Sequence, residues 1–402
     1  MSLLEVITKA SANPSPITSL SNYPIIFNPD PILLNLKPQN EGSNDTSLVK
    51  RVDGWQIWGT DSEIIELGQK FFKKLNRKLK NPNKFDKDEF FGMLNSYLEQ
   101  NRSKVGISAG VIPSDKGYTH KLIEKLGFLM GQEVVGLVLE ASIVLELWEL
   151  LETLIANGLV EHSCSSNLVY NLIEKRRSDL VCLCLKHVSD LQTSDILCIL
   201  KYFLSPPKDA YSSMAIVRKE WESQALCAIE TATDMGLSGK ILSLAKEASV
   251  LLMVAHDEFS VSELCLHYLL ASSNLDEVTL SSCISKLNGL EMKSLIRYLG
   301  KWLKKYERFP QAGPCPKASS TLSLKACVWV PTLVDIVKCL GLVLDEHFSS
   351  LVLHPEFHEE LRSVVGVVNS LALEARISCS IANVIENLRT EVKGNYIAVV
   401  RC

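Results

Sequence analysis

Residues Asn167–Leu204, NLVYNLIEKRRSDLVCLCLKHVSDLQTSDILCILKYFL, decide the fold. Apolar residues recur there at helical spacing and tight polar turns divide them, which predicts three short amphipathic helices. The part from Cys184 to Leu204 returns, without a gap, as Cys283–Leu303. Cys184/Cys283, Leu191/Leu290, Leu200/Leu299 and Leu204/Leu303 are identical. Val188/Leu287, Ile196/Leu295, Leu197/Ile296 and Phe203/Trp302 keep an apolar residue in register. A shared helix-turn-helix frame of this kind predicts stacked helical units, each too small to bury its apolar face alone.

Upstream of this stretch, residues 1–60 carry prolines at 14, 16, 24, 29, 31 and 38 and run into Glu41-Gly-Ser-Asn-Asp. Each X-Pro step pushes the preceding residue to extended geometry, so an extended or disordered arm is expected, with Ile25–Phe27 and Ile32–Leu34 as apolar spots. Asp61-Ser62-Glu63 then opens a helix with Ile64, Ile65, Leu67, Phe71, Phe72 and Leu75 on one side. Its second half is basic: Lys70, Lys73, Lys74, Arg77, Lys78 and Lys80, followed by Lys84 and Lys87. This density suits an RNA-contacting patch or a nuclear-import sequence, while a solvated face whose late cations complement the helix dipole explains it as simply.

A second amphipathic helix is expected over Asp86–Gln100, and a Gly-bearing connector over Gly106–Gly117. In Gln132–Asn157, read as one helix, EVVGLVLEASIVLELWELLETLI is apolar on nearly every side of its first half and belongs in the middle of a bundle. Ser205–Asp209 is a break, and helices follow at Met214–Asp234, Ser238–Lys246, Val250–Ala255, Ser260–Ala271, Asp276–Lys286 and Glu291–Glu307. The span 309–328, with Pro310, Pro314 and Pro316, is expected to be a flexible loop. It would separate a helical repeat-like domain over 61–308 from a terminal unit over 329–402. That unit holds a helix over Pro331–Leu344, an apolar link His347–Leu353, and a long helix from Pro355 to about Glu391 with a short extended tail at Ile397–Val400. Leu361, Val365 and Val368 mark a candidate partner-binding face on it. No run alternates as a strand does, and the fold class expected is all-α, an irregular α-solenoid or helical-bundle array.

The 402 residues carry an ordinary globular balance, 47% hydrophobic and 22% charged, with net charge −4, which argues against whole-surface coating of nucleic acid. Of the twelve cysteines, Cys182, Cys184, Cys198, Cys227, Cys265, Cys283, Cys339 and Cys379 sit in apolar helical runs and are expected to be buried, as in a reducing compartment. No secretory leader is visible, and the longest apolar run, Val134–Leu145, is broken by Glu140 and too short for a bilayer; a soluble intracellular chain without membrane contact is expected.

Chemistry-bearing constellations are thin. Cys182, Cys184 and His187, with His162 and Cys164, are the best metal candidates, but Cys182 and Cys184 alternate with leucines within one helix and point apart. His354 and His358 stand at i, i+4, but HPEFH lacks the Glu that follows the first His in a metalloprotease helix. Glu149/Glu152 and Glu359-Glu360 read as solvated helix faces, and no phosphate-cradling glycine loop or nucleophile elbow occurs. The residues therefore predict a helical scaffold, not an enzyme, with no metal, cofactor or small-molecule substrate.

Two segments carry a family likeness: Asn171-LIEKRRSDLVCLCLKHVSD-Leu191 continuing into Cys198-ILKYFL-Ser205, and Val330-PTLVDIVKCLGLVLDEHFSSLVLHPE-Phe357. With the helices between them they resemble the C-terminal helical region of the nucleolar protein 11 family, over roughly residues 60–402. Full-length members carry a β-propeller before this region; here the Pro-rich residues 1–60 stand in that position. The resemblance implies a non-enzymatic scaffold of the small-subunit processome, acting in ribosomal RNA transcription and pre-ribosomal RNA processing. It also implies other processome proteins as partners, pre-ribosomal RNA nearby, and residence in the nucleus and nucleolus. The alternative from another class is an α-solenoid adaptor for protein complexes in cytoplasmic trafficking or degradation.

Overall fold

A computed structural model describes residues 59–81, 85–106, 117–234 and 236–399, with backbone alone for 59–61 and 390–399. Among these residues are sixteen α-helices and no strand, so the chain is all-α. The arm expected over 1–60 and Lys84 lie outside the described residues, apart from the first helical residues 59–60. Helix α1 (Gly59–Leu79) buries Phe71 and Leu75, and packs on α2 (Lys87–Val105). Asp86 begins α2 by accepting from the backbone N–H of Lys87, and Gly106 closes it at φ 74°, a left-handed turn that glycine adopts without strain. Helix α3 (Tyr118–Leu126) packs on α2.

The continuous helix expected over Gln132–Asn157 is two helices, α4 (Gln132–Val144) and α5 (Trp148–Ala156). Between them Glu146 takes φ 51°, and the chain closes with Leu147 N–H donating to Ser142 C=O at 2.8 Å and Glu146 N–H to Ile143 C=O at 3.2 Å. These are the paired bonds of a Schellman turn, made here without the usual glycine. The same turn recurs at Arg176, φ 57°, where Arg177 N–H donates to Leu172 C=O at 2.9 Å and Arg176 N–H to Ile173 C=O at 3.2 Å. It joins α6 (His162–Glu174) to α7 (Ser178–His187), each of which begins thirty positions after its counterpart in the preceding pair. Helix α4 packs on α6 and α5 on α7, so these are two stacked copies of one helical hairpin. Between the copies only Ile143/Ile173 and Leu150/Leu180 are identical.

Helix α8 (Thr193–Leu204) continues the stack on α6. Helices α9 (Tyr211–Thr233) and α10 (Gly239–His256) pack along one another, the latter a single helix where two were expected. Then come α11 (Val261–Leu270), α12 (Glu277–Ile284) and α13 (Gly289–Arg308). The frame read at Cys184–Leu204 and Cys283–Leu303 is thus α7–α8 and α12–α13, with α8 packed on both members of the second pair. Cys184/Cys283, Val188/Leu287, Leu200/Leu299, Phe203/Trp302 and Leu204/Leu303 are buried in both. Leu191 and Leu290 part company: α13 starts earlier in the frame than α8, so Leu191 is a buried turn residue and Leu290 an exposed first-turn residue.

The loop expected over 309–328 is a folded segment. Pro316 occupies the first turn of α14 (Pro316–Leu322), where its missing N–H costs nothing, and a 3-10 turn follows at Lys325–Val328. Cys315 N–H donates to Cys327 C=O at 2.9 Å, and Ala326 N–H donates to the Gln224 side chain on α9 at 2.7 Å. Ala312, Ala318, Leu324, Ala326 and Cys327 are buried, and α14 packs on α10. No domain boundary falls here; the described residues belong to one unit.

Helix α15 (Leu333–Leu353) is opened by Thr332 and Asp335, whose side chains each bond the other's backbone N–H. It absorbs the expected apolar link, with a kink at His347, whose Nε2 lies 2.7 Å from Ile284 C=O. Pro355–Phe357 form a 3-10 turn, and α16 (His358–Val399) follows. The backbone is helical through Val399, so the extended tail expected at Ile397–Val400 is not seen at 397–399.

Candidate functional site

Helix α16 is seated by α13 through its first turns only. Gly300 makes the close approach possible: a β-carbon there would stand 3.2 Å from Val364 Cγ2. Phe357, Val364 and Val367 are buried, Leu361 and Leu371 are half-buried, and Arg297 donates to Glu360 Oε1 at 2.9 Å. Beyond Leu371 the contact ends. All residues from Ala372 to Arg389 are exposed, a rod of about 27 Å at the helical rise of ~1.5 Å per residue. Leu373, Ile377, Ile381, Val384, Ile385 and Leu388 form one apolar stripe along it, at 50–59% exposure.

The expected partner-binding trio is split by this geometry. Leu361 packs against the core, whereas Val365 at 55% and Val368 at 38% exposure face solvent. A second apolar face lies on α15, where Val334, Val337, Leu344, Phe348 and Val352 are exposed at helical spacing. Sequence reading saw the apolar residues of both helices but not which of them the core leaves uncovered.

The basic residues of α1 fall largely on one face. Lys70, Lys73, Lys74 and Arg77, at i, i+3, i+4 and i+7, are all exposed; Lys80 is exposed and Lys78 half-buried. Lys70 lies 3.5 Å from Glu66, and Lys78 lies 2.8 Å from Glu89 on α2. Lys70 and Lys74 also edge a cleft of about 480 Å³ between α1 and α2, lined by Phe71, Glu89, Met93, Ser96, Tyr97 and Gln100, with the Glu89 carboxylate paired to Lys78. Exposed cations over a groove with amide and hydroxyl groups can take an anionic chain by charge and hydrogen bonding.

Among the described residues no three His, Cys, Asp or Glu side chains gather at metal-binding distance. Cys182 and Cys184 are buried in α7, and His162 Nδ1 lies 2.8 Å from Asp190 C=O. Burial raises the thiols of Cys184 and Cys265, and pushes those of Cys327 and Cys339 up to about 12, the reverse of an activated nucleophile. Three cysteines expected in the core are exposed: Cys198 and Cys227 sit on the outer side of their helices, and Cys379 lies on the projecting part of α16, where no residue is covered.

His267 lies deep in the core, and both of its ring nitrogens are used. Its Nε2–H donates to Ala255 C=O at 2.9 Å, so Nδ1 accepts from Tyr298 Oη–H at 2.8 Å, and that hydroxyl accepts from Trp302 Nε1–H at 3.0 Å. Phe259, Trp221 and Trp302 surround the ring. Desolvation lowers the imidazole to about 3, so it stays neutral and serves packing.

By length and composition alone, the span Pro355–Arg389 could cross a membrane. Its first turns, however, are held by α13, and Glu374, Arg376, Glu386 and Arg389 lie in the projecting part; each would cost about 2.5–3.5 kcal/mol at a bilayer centre. No family model and no curated protein matches the chain.

Proposed function

We propose that this chain is a non-catalytic scaffold subunit of the small-subunit processome, acting in ribosomal RNA transcription and pre-ribosomal RNA processing. The observation that carries the scaffold reading is α16: a helix seated at one end and projecting an uncovered apolar stripe. Soluble chains do not expose such a stripe without a use for it, and helix-on-helix docking is the use its spacing fits. The resemblance of Asn171–Ser205 and Val330–Phe357 to the nucleolar protein 11 family supplies the assembly and the nucleolar location. In this reading Val365 and Val368 contact other processome proteins. Lys70, Lys73, Lys74, Arg77, Lys78 and Lys80 lie toward pre-ribosomal RNA or serve nuclear import.

Tagging the full chain, imaging it, and identifying co-purified proteins by mass spectrometry tests the proposal. Nucleolar enrichment together with processome proteins is the expected result. A diffuse cytoplasmic signal with trafficking or degradation components would overturn it in favour of an adaptor.

A further inference from the structure

We infer that the cleft between α1 and α2 receives one base of a single-stranded RNA whose phosphates lie along Lys73, Lys74 and Arg77. The inference rests on reading the basic face of α1 as turned toward RNA, and adds the form of the RNA and the way it is held.

The two walls of the cleft differ in kind. On α1, Lys73, Lys74 and Arg77 are exposed and have no carboxylate partner among the described residues, whereas Lys70 lies beside Glu66. On α2, Glu89, Gly92, Ser96 and Gln100 fall at i, i+3, i+7 and i+11, which makes one exposed strip along the cleft. Glu89, at the end of the strip, is paired with Lys78 at 2.8 Å, and the rest of this wall is neutral. Gln100 Nε2 donates to Ser96 Oγ at 3.2 Å, which leaves the Gln100 carbonyl oxygen, its second N–H and the Ser96 hydroxyl proton for a ligand. Leu67, Phe71 and Met93 make an apolar floor between the walls.

A nucleotide matches this division: its phosphate is anionic, and its base has an apolar face and an edge of donors and acceptors. Gly92 keeps the space open, since a β-carbon there would meet nothing within 4 Å. In a duplex the bases are paired and stacked, and the narrow major groove of A-form RNA keeps side chains from them, so only an unpaired base can enter. An acidic peptide would use the cations and leave the amide, the hydroxyl and the apolar floor unmatched.

The test is fluorescence anisotropy of the purified full chain with three labelled probes. These are a mixed-sequence single-stranded RNA of twelve nucleotides, the same RNA annealed to its complement, and a polyglutamate of twelve residues. Cations alone would favour the duplex, the more densely charged probe. The expected result is the reverse, with the single strand bound at least tenfold more tightly than either of the others. Gly92→Leu fills the cleft without touching a cation, and should weaken single-strand binding at least fivefold while the slope of log K on log salt stays at about −2. Its melting temperature should be no lower, since leucine is the better helix former at an exposed position. Absence of single-strand binding overturns the inference, as does a duplex or polyglutamate bound as tightly, or a Gly92→Leu chain that binds like the unmodified one. Each of these leaves the processome reading standing, since that is read from location and co-purification.

Discussion

His267 and Tyr298 share a hydrogen bond inside the core, imidazole Nδ1 accepting from the phenolic hydroxyl at 2.8 Å, and neither side chain is exposed. A second proton would go on Nδ1, and the ring cannot take it without giving up the bond it accepts from Tyr298. Its folded pKa of about 3 lies below the ordinary 6.5, so between those values the unfolded chain binds a proton the folded chain does not. Stability is therefore lost as pH falls below 6.5, by up to ~1.4 kcal/mol per pH unit from this group. Denaturant midpoints at pH 7, 6, 5 and 4 check this against His267→Gln, which should be less stable at pH 7 and show a shallower decline. An equal slope in both proteins would refute the assignment.

The close approach of Val364 to Gly300 predicts where α16 comes loose. Gly300→Leu inserts a branched side chain where even a β-carbon would stand 3.2 Å from Val364 Cγ2, and should cost about 1–3 kcal/mol. Hydrogen exchange should rise at 357–371 and stay unchanged over α4–α7. Uniform loss of protection would mean that α16 is not separately seated.

Thiol burial predicts an order of alkylation. Cys198, Cys227 and Cys379 should react within minutes at pH 8, while Cys184, Cys265 and Cys339 should be labelled only on unfolding. Peptide mapping after a timed iodoacetamide pulse reads this directly. Fast labelling of Cys184 would contradict the packing of α7.

If the cations of α1 meet RNA, binding of a labelled single strand should weaken with salt. Three phosphate contacts give a slope of log K on log salt of about −2. Lys73→Glu/Lys74→Glu/Arg77→Glu should abolish that slope and leave the denaturation midpoint unchanged, since all three side chains are exposed. Undiminished binding by the triple variant would assign this face to nuclear import or to solvation alone.

Legibility in the sequence follows the reach of each interaction. Helical periodicity is local, so the all-α class, the α7–α8/α12–α13 frame and the burial of most of α4, the first half of the helix expected over Gln132–Asn157, could be read from spacing. The thirty-residue stacking of α4–α5 on α6–α7 could not. Its turns use Glu146 and Arg176 where a glycine would have signalled them, and the copies share almost no residues. The segment 309–328 misled for a related reason. Its prolines read as breakers, but Pro316 starts a helix, and Gln224, a residue of α9 far away in sequence, holds the following turn. At the candidate site the apolar residues of α16 were visible and their fate was not. Whether Leu361 or Val365 faces water depends on α13, which no local pattern reports.

The scaffold claim is tested most directly by counting processome proteins that co-purify with the tagged full chain carrying Val365→Asp/Val368→Asp. Leu361 is left intact, because its half-buried side chain supports the fold. The account predicts at least a tenfold loss of those proteins, with an unchanged circular dichroism spectrum and melting temperature. Recovery equal to that of the unmodified chain would contradict it.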